Sequence, residues 1–151
     1  YDVIHERVHC LTGWLLQNLT ALQHSNGEPR VRVYGPTSTE GRGGAVTVNF
    51  FDQEGNVFDH RYIEARANDV NISLRTGCFC NPGAGEIALG VSRVELDVCF
   101  TKPGHEDRLS QDDFRMCFDG KSIGAVRISI GMVTNFKDVQ KLLSFAKSLL
   151  T

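Results

Sequence analysis

Two cysteines separated by one residue form the part of this sequence best suited to covalent chemistry. They lie in the segment Arg75-Thr76-Gly77-Cys78-Phe79-Cys80-Asn81-Pro82-Gly83-Ala84, and the residues before it are typical of the end of a strand. A thiol is a strong nucleophile only as the thiolate, and a nearby cation raises the thiolate fraction. The pattern therefore predicts a nucleophile on a turn at the end of a strand, with an arginine close by.

Three other interpretations of this cysteine pair remain open. Small thiols can pack under a turn as apolar residues do. A zinc site needs about four ligands, usually in paired spacing, and Cys99 and Cys117 stand alone in the sequence. A redox-active pair would close a strained ring, because a single residue separates Cys78 from Cys80. We expect no metal at this segment.

A second chemical candidate is Arg127, which lies inside the apolar run Val126-Arg127-Ile128-Ser129-Ile130. A charge in a strand of this kind must be paired or must face a cavity. The planar guanidinium can bind a carboxylate through two hydrogen bonds. The alternative is an ordinary strand residue, either on an edge strand or facing the solvent.

The helices and strands that position these residues can be predicted from the periodicity of apolar residues in the sequence. We predict an α/β (α+β) fold with a mixed or antiparallel sheet of about four strands and helices packed on one face. The predicted strands are 30–34, 45–51, 72–75 and 125–131, and the predicted helices are 4–22, 62–70 and 139–150. Asp2 is the expected cap of the first helix and Asn135 that of the last. Residues 86–99 are ambiguous and helical in part, and the Asn-Pro-Gly sequence at 81–83 predicts a turn.

Length and composition narrow the class of protein. With 151 residues the chain is long enough to bury one core, and a net charge of −2 gives no electrostatic case for binding nucleic acid or anionic membrane. No apolar run has membrane-spanning length. The five cysteines are an odd number, so they cannot all pair within one chain. These features favour a reducing, cytoplasmic setting.

The cysteine segment closely resembles the cysteine motif of molybdenum cofactor sulfurases, whose N-terminal half is a pyridoxal-phosphate (PLP) cysteine desulfurase of the class V aminotransferase superfamily. Other similar stretches support the resemblance, and they lie at residues 26–27, 33–36, 42–44, 124–131 and 135–139. The resemblance implies that residues 1–151 are a single domain, the C-terminal small domain of a fold-type-I PLP enzyme. The large PLP-binding domain would then lie outside this sequence.

The resemblance also implies roles for individual residues. Cys80 would be the catalytic nucleophile that takes sulfur from L-cysteine as a persulfide. Arg127, helped by Arg75, would bind the substrate carboxylate, and Cys78 would be an accessory thiol. Gly85 stands where the sulfurase motif often has a further cysteine, which argues against a relay through a third thiol.

The cofactor and partners implied by the resemblance belong to the full-length protein. PLP would be bound through a lysine that follows a histidine, and this sequence contains no His-Lys pair. We therefore expect the chain alone to be inactive as a desulfurase. The molybdenum cofactor would be the sulfur acceptor, the large PLP domain would be the partner within the same protein, and the full-length protein would be a homodimer.

Two other classes of function remain open. One is a class V aminotransferase or C–S lyase in which Cys80 has only a structural role. The other is a stand-alone sulfur-carrier or binding module that works without PLP. Replacing Cys80 separates the first from a desulfurase, because only desulfurase turnover requires the thiol.

Overall fold

A four-stranded antiparallel sheet forms the centre of the chain in a computed structural model that describes residues 1–104, 110–118 and 124–149. The described helices and strands are α1 Asp2–Thr20, β1 Val31–Tyr34, β2 Ala45–Phe50, α2 His60–Asp69, β3 Arg75–Gly77, α3 Pro82–Leu89, α4 Arg93–Phe100, α5 Gln111–Met116, β4 Ala125–Ser129 and α6 Phe136–Ser148. The strand order is β1-β2-β4-β3, so the last strand in sequence lies between β2 and β3. The predicted α+β fold class is confirmed.

One face of the sheet carries the hydrophobic core. In β2 and β4, Val46 is paired with Ile128 and Val48 with Val126, so these four side chains share a face. Three helices cover that face and contribute buried side chains to the same cluster. These are Leu15, Leu16 and Leu19 from α1, Ile63 and Ala67 from α2, and Val139, Leu142, Leu143, Phe145 and Ala146 from α6.

The polar residues that alternate with this apolar set face away from the core. Thr47 and Arg127 are directly paired between β2 and β4, and the Arg127 side chain is exposed. Arg127 thus lies on a central strand, so an edge position is wrong, whereas its side chain does face away from the core and is exposed. One strand therefore supports the core with Val126 and Ile128 and presents a cation on its other side.

Local sequence signals explain several helix ends. Asn135 caps α6, since its side-chain oxygen accepts hydrogen bonds from the N–H groups of Lys137 at 2.8 Å and Asp138 at 3.3 Å. The Asp138 carboxylate in turn accepts from the Asn135 N–H at 2.9 Å. The predicted cap of the closing helix is confirmed. At α1 the prediction is wrong, because Tyr1 is the cap residue and Asp2 is already helical.

The region around the cysteine pair differs most from the sequence expectation. The third strand begins at Arg75 and reaches Gly77, because residues 72–74 are not paired with β4. The expected turn at 81–83 is instead the first turn of α3, with Asn81 as cap and Pro82 in the first helical turn, where a missing N–H costs nothing. The ambiguous stretch 86–99 falls in α3 and α4. The sequence at 101–111 is polar and typical of a loop, and part of this stretch lies outside the described residues.

A disulfide between Cys99 and Cys117 joins the end of α4 to the residue after α5, with the two Cα atoms 5.4 Å apart. The expectation that these cysteines stand alone is wrong. They are 18 residues apart in sequence, so only the fold brings them together. Cys10, Cys78 and Cys80 are free and exposed. Within the described ranges, no helix has both the length and the apolar character needed to cross a bilayer.

The cap of α6 gives a test of this fold. Replacing Asn135 with alanine should lower the free energy of unfolding by about 1 kcal/mol, because two helix N–H groups lose their acceptor. Urea denaturation monitored by circular dichroism measures the change. The control is Gln140→Ala, which alters an exposed residue of the same helix and should be close to neutral. Equal destabilisation by both variants would contradict the assigned cap.

Candidate functional site

A row of four directly paired residues crosses the sheet on the face opposite the core. Tyr34 pairs with Thr47, Thr47 with Arg127, and Arg127 with Arg75. Directly paired residues of antiparallel strands have their side chains on the same face. The register therefore places the two predicted substrate-binding arginines next to each other, on β3 and β4.

An open cavity of about 220 Å³ lies at the Arg75 end of this row. We call it the arginine cavity; it is lined by Thr47, Arg75, Thr76, Gly77, Cys78, Phe79, Cys80, Ala125 and Arg127. All four residues singled out from the sequence, which are Cys80, Cys78, Arg75 and Arg127, thus border one space. Their chemical roles stay predictions, but their proximity in the fold is a finding.

Both thiols lie on a short loop, residues 78–80, which borders the arginine cavity. We call it the cysteine loop. Before it, Gly77 pairs with Ala125 of β4 and adopts a φ of +128°, a value that residues with a Cβ rarely adopt. After it, the Asn81 side chain accepts a hydrogen bond from the Ala84 N–H at 3.3 Å. Both ends of the cysteine loop are therefore held by regular structure.

Close packing at Gly124, the residue before β4, sets where this strand begins. A Cβ atom at residue 124 would lie 2.6 Å from Nδ1 of His60 and 3.0 Å from the carbonyl carbon of Gly77. A side chain at this position would force the His60 imidazole to shift and would press on the backbone at the end of β3. Gly124 thus allows the start of α2 and the end of β3 to approach β4 together, which places the cysteine loop beside Arg127.

The electrostatic character of the arginine cavity comes from its two guanidinium groups. Neither Arg75 nor Arg127 forms an ion pair with an acidic side chain in the parts of the chain that the structure describes. Like charges directly opposite each other on neighbouring strands repel. A bound carboxylate would relieve this repulsion and accept charge-assisted hydrogen bonds from the guanidinium groups. The arrangement therefore suits a small anion held next to a thiol.

Tyr34 lies at the other end of the row and contacts the cysteine loop. Its ring is edge-on to that of Phe79, with 5.7 Å between centroids. Burial raises the pKa of the Tyr34 phenol, and the charge of Arg32 and hydrogen bonds from Arg32 and Asn49 offset part of this increase. Tyr34 is thus a neutral, half-buried residue that packs against Phe79 of the cysteine loop, beside a cationic cavity.

The sequence alone does not single out Tyr34, Thr47 or Phe79 as parts of the site. Strand alternation places Thr47 on a polar face, but pairing with Arg127 requires the order of the strands, which is non-local. Phe79 lies between the two cysteines, yet nothing in its type distinguishes a packing residue from an exposed one.

The two histidines near the start of α1 are a second cluster of titratable groups. His5 and His9 have ring centroids 5.9 Å apart. Among the described residues, no group of three or more His, Cys, Asp or Glu side chains could hold a metal ion. The histidine pair therefore gives no metal site within that part of the chain.

The fold is shared with part of a cysteine desulfurase. The apo structure of the cysteine desulfurase from Thermococcus onnurineus NA1 superposes with a TM-score of 0.56 and 17% sequence identity, covering 99% of this chain and 26% of that one. No protein-family profile matches the chain.

Sequence comparison confirms the resemblance to molybdenum cofactor sulfurases. The protein of that name from Solanum lycopersicum is 38% identical over 138 residues, which cover 91% of this chain and 16% of the relative. The Homo sapiens protein is 35% identical over 145 residues, covering 94% and 16% respectively, and the Drosophila melanogaster protein is 36% identical over 148 residues, covering 96% and 18%. The chain is similar along nearly its whole length to one segment of these sulfurases and spans less than a fifth of their length.

The raised pKa of Tyr34 predicts a pH dependence of stability. Because the folded state holds the phenolic proton more tightly than the unfolded state, the stabilisation is complete below the ordinary pKa of 10.0 and is lost as pH rises through the folded-state pKa. Tyr34→Phe should therefore lose less stability than the wild type when the pH is raised above about 10.

The measurement is a series of urea unfolding curves in the alkaline range. Tyr62→Phe, which removes a phenol from the exposed part of α2, is the matched control. Parallel loss of stability in the wild type and in Tyr34→Phe would contradict the assignment.

Proposed function

We propose that the chain is the C-terminal small domain of a PLP-dependent cysteine desulfurase of the molybdenum cofactor sulfurase type. The full-length protein would take sulfur from L-cysteine as a persulfide on Cys80 and pass it to the molybdenum cofactor. The observation that supports this most strongly is the arginine cavity, where a free, exposed Cys80 lies beside two arginines without acidic partners among the described residues.

In this proposal the two arginines recognise the substrate carboxylate. Arg127 lies on the central strand β4, and Arg75 is directly paired with it on β3. A guanidinium held on a strand can form two parallel hydrogen bonds to a carboxylate, which sets the direction of the rest of the substrate. The substrate sulfur would then face the cysteine loop.

The described residues of this chain do not by themselves fit PLP. The cofactor requires a lysine amine, and no described lysine lines the arginine cavity. The sequence also lacks the His-Lys pair expected from the resemblance. We assign the cofactor to the large domain of the full-length protein, where it would act as an electron sink for the substrate.

The step carried out by this chain is the transfer of one sulfur atom. The Cys80 thiolate attacks the sulfur of L-cysteine, so an S–S bond forms while the C–S bond of the substrate breaks. The substrate carbon keeps the electron pair and takes up a proton. The products are alanine and a persulfide on Cys80, and no external oxidant or reductant is consumed.

The remaining parts of the proposal concern the surroundings of Cys80. Cys78 also borders the arginine cavity and is exposed, so it would be an accessory thiol that can receive the sulfur in turn. Transfer to the molybdenum cofactor, the homodimeric state of the full-length protein and its cytoplasmic location stay predictions.

The first test is Cys80→Ser in the full-length protein supplied with PLP and L-cysteine. Alanine formation should fall by roughly 1000-fold or more, the scale of losing a covalent nucleophile. Mass spectrometry of the peptide containing residues 78–80 should find one added sulfur on Cys80 in the wild type, removable by reduction.

Two controls separate the desulfurase from the other classes of function. Cys10→Ser removes an exposed thiol on α1 and should leave turnover unchanged. Undiminished activity of Cys80→Ser would favour the aminotransferase or C–S lyase. A persulfide that forms on Cys80 only after exposure to a separate desulfurase would favour a sulfur carrier.

The second test concerns Arg127. Arg127→Gln should lower kcat/KM for L-cysteine by about 10- to 100-fold, because a charge-assisted hydrogen bond to the carboxylate contributes roughly 1.5–3 kcal/mol. Most of the effect should be in KM. Steady-state kinetics with Arg66→Gln, an exposed arginine of α2, provide the charge-matched control. Equal KM values for the wild type and Arg127→Gln would contradict the assigned role.

A further inference from the structure

Phe79, between the two cysteines, differs from both of them in its surroundings. Cys78 and Cys80 are exposed, whereas Phe79 is half-buried. Its ring is edge-on to that of Tyr34 on β1, a geometry that stabilises an aromatic pair beyond the burial of its surface. The middle residue of the cysteine loop is therefore held against the sheet while its neighbours face the solvent.

The second contact of Phe79 is with the backbone of α3 at Gly85, which is buried. A Cβ atom at residue 85 would lie 3.3 Å from Cβ and 3.4 Å from Cδ2 of Phe79. That distance is tight enough that the phenyl ring would have to shift by a few tenths of an ångström. Gly85 thus leaves room for the Phe79 side chain to pack directly on the helix.

Phe79 also separates two cavities. One is the arginine cavity, and the other is an apolar cavity of about 210 Å³ lined by Cys78, Phe79, Gly85, Glu86, Leu89, Val91, Leu96 and Phe114. Of these two cavities, Cys78 borders both, whereas Cys80 borders the arginine cavity and not the apolar one. The phenyl ring thus lies in the wall between the two cavities, next to both thiols.

We propose that Phe79 is a positioning residue, which packs on Gly85 and Tyr34 and thereby holds Cys80 in the arginine cavity. The cysteine loop is only three residues long, and Gly77 and Asn81 are held at its two ends. Because the loop is short and both of its ends are held, moving Cys80 out of the arginine cavity would also move Phe79 away from Gly85 and Tyr34. The expected effect on turnover rests on the proposed desulfurase function. The placement of Cys80 by Phe79 does not depend on that function and can be tested without it.

A charge-selective alkylation experiment tests the position of the thiol without any turnover. Iodoacetate carries a carboxylate and iodoacetamide does not, so the ratio of their rates at one cysteine reports positive charge around it. Peptide mapping of the full-length protein gives this ratio for Cys80 and, as an internal reference, for Cys10 on α1. In the wild type the ratio at Cys80 should exceed the ratio at Cys10.

Two variants should each weaken one of the two contacts that hold Phe79. Phe79→Leu removes the aromatic contact with Tyr34, and Gly85→Ala pushes the ring away from α3. Each should lower the iodoacetate preference of Cys80 by about 2- to 10-fold, the range that corresponds to one aromatic pair. The ratio at Cys10 should not change.

Matched controls distinguish a specific movement of the cysteine loop from a general loss of stability. Phe136→Leu disrupts another aromatic pair, with Trp14 at 4.4 Å, away from the site. Gly83→Ala adds a methyl group to the same helix α3, where the nearest atom is the Asn81 side-chain oxygen at an ordinary 3.7 Å. Both controls should keep the wild-type ratio at Cys80, and Phe79→Tyr, which retains the ring, should keep most of it.

Kinetics of the full-length protein give the second readout. Phe79→Leu should lower kcat for alanine formation while KM for L-cysteine changes by less than about 2-fold, because the arginines lie on strands outside the loop.

The outcomes separate the two proposals. An unchanged alkylation ratio at Cys80 in both Phe79→Leu and Gly85→Ala, or a wild-type ratio no higher than that of Cys10, would overturn the positioning role. If Phe79→Leu does not fold, as judged by circular dichroism, Gly85→Ala alone decides. If the wild type forms no persulfide on Cys80, the proposed function is refuted. The alkylation ratios still decide whether Phe79 positions the thiol.

Discussion

The pairing of the short strand β3 with β4 is the constraint on which the rest of the site depends. Three residue pairs join these strands, from Arg75 opposite Arg127 to Gly77 opposite Ala125. A slip of one residue would turn Arg75 toward the core and would move the cysteine loop along the sheet. The close approach at Gly124 supports this register, because α2 and the end of β3 both pack where a side chain would otherwise be.

Because side chains alternate along β4, this strand contributes to the core on one face and to the arginine cavity on the other. Val126 and Ile128 are buried under the helices, and Arg127 between them faces the arginine cavity. The close packing of Val126 and Ile128 restrains the backbone of β4 and therefore also the backbone position of Arg127. A cation on a central strand is also less free to move than one on a loop, which favours a defined direction for a bound carboxylate.

Features set by neighbouring residues were predictable from the sequence, and features set by the order of the strands were not. The Asn135 cap and the alternation in β4 depend on residues within one turn or one strand, so both could be inferred from the sequence. The start of β3 was misplaced because residues 72–74 have strand-like composition but no partner in β4.

The same limit applies to the candidate site. Its thiols and arginines were identifiable by residue type and by resemblance, whereas Thr47 and Tyr34 enter the row only through pairing between distant strands. The Cys99–Cys117 disulfide was missed because the two thiols meet only after α4 and α5 have packed. Sequence spacing alone carries no information on such a contact.

The position of β4 in the sheet has a consequence for synthesis of the chain on the ribosome. Of the four described strands, β4 is made after the other three, yet it lies between β2 and β3. Until residues 125–129 have emerged, β2 has an unpaired edge, and Val46 and Val48 have no partners on that side. Such edges pair readily with other chains. The edge of β2 is therefore most exposed to misassociation just before β4 appears, and a chaperone that covers β2 during that interval would increase the yield of folded protein.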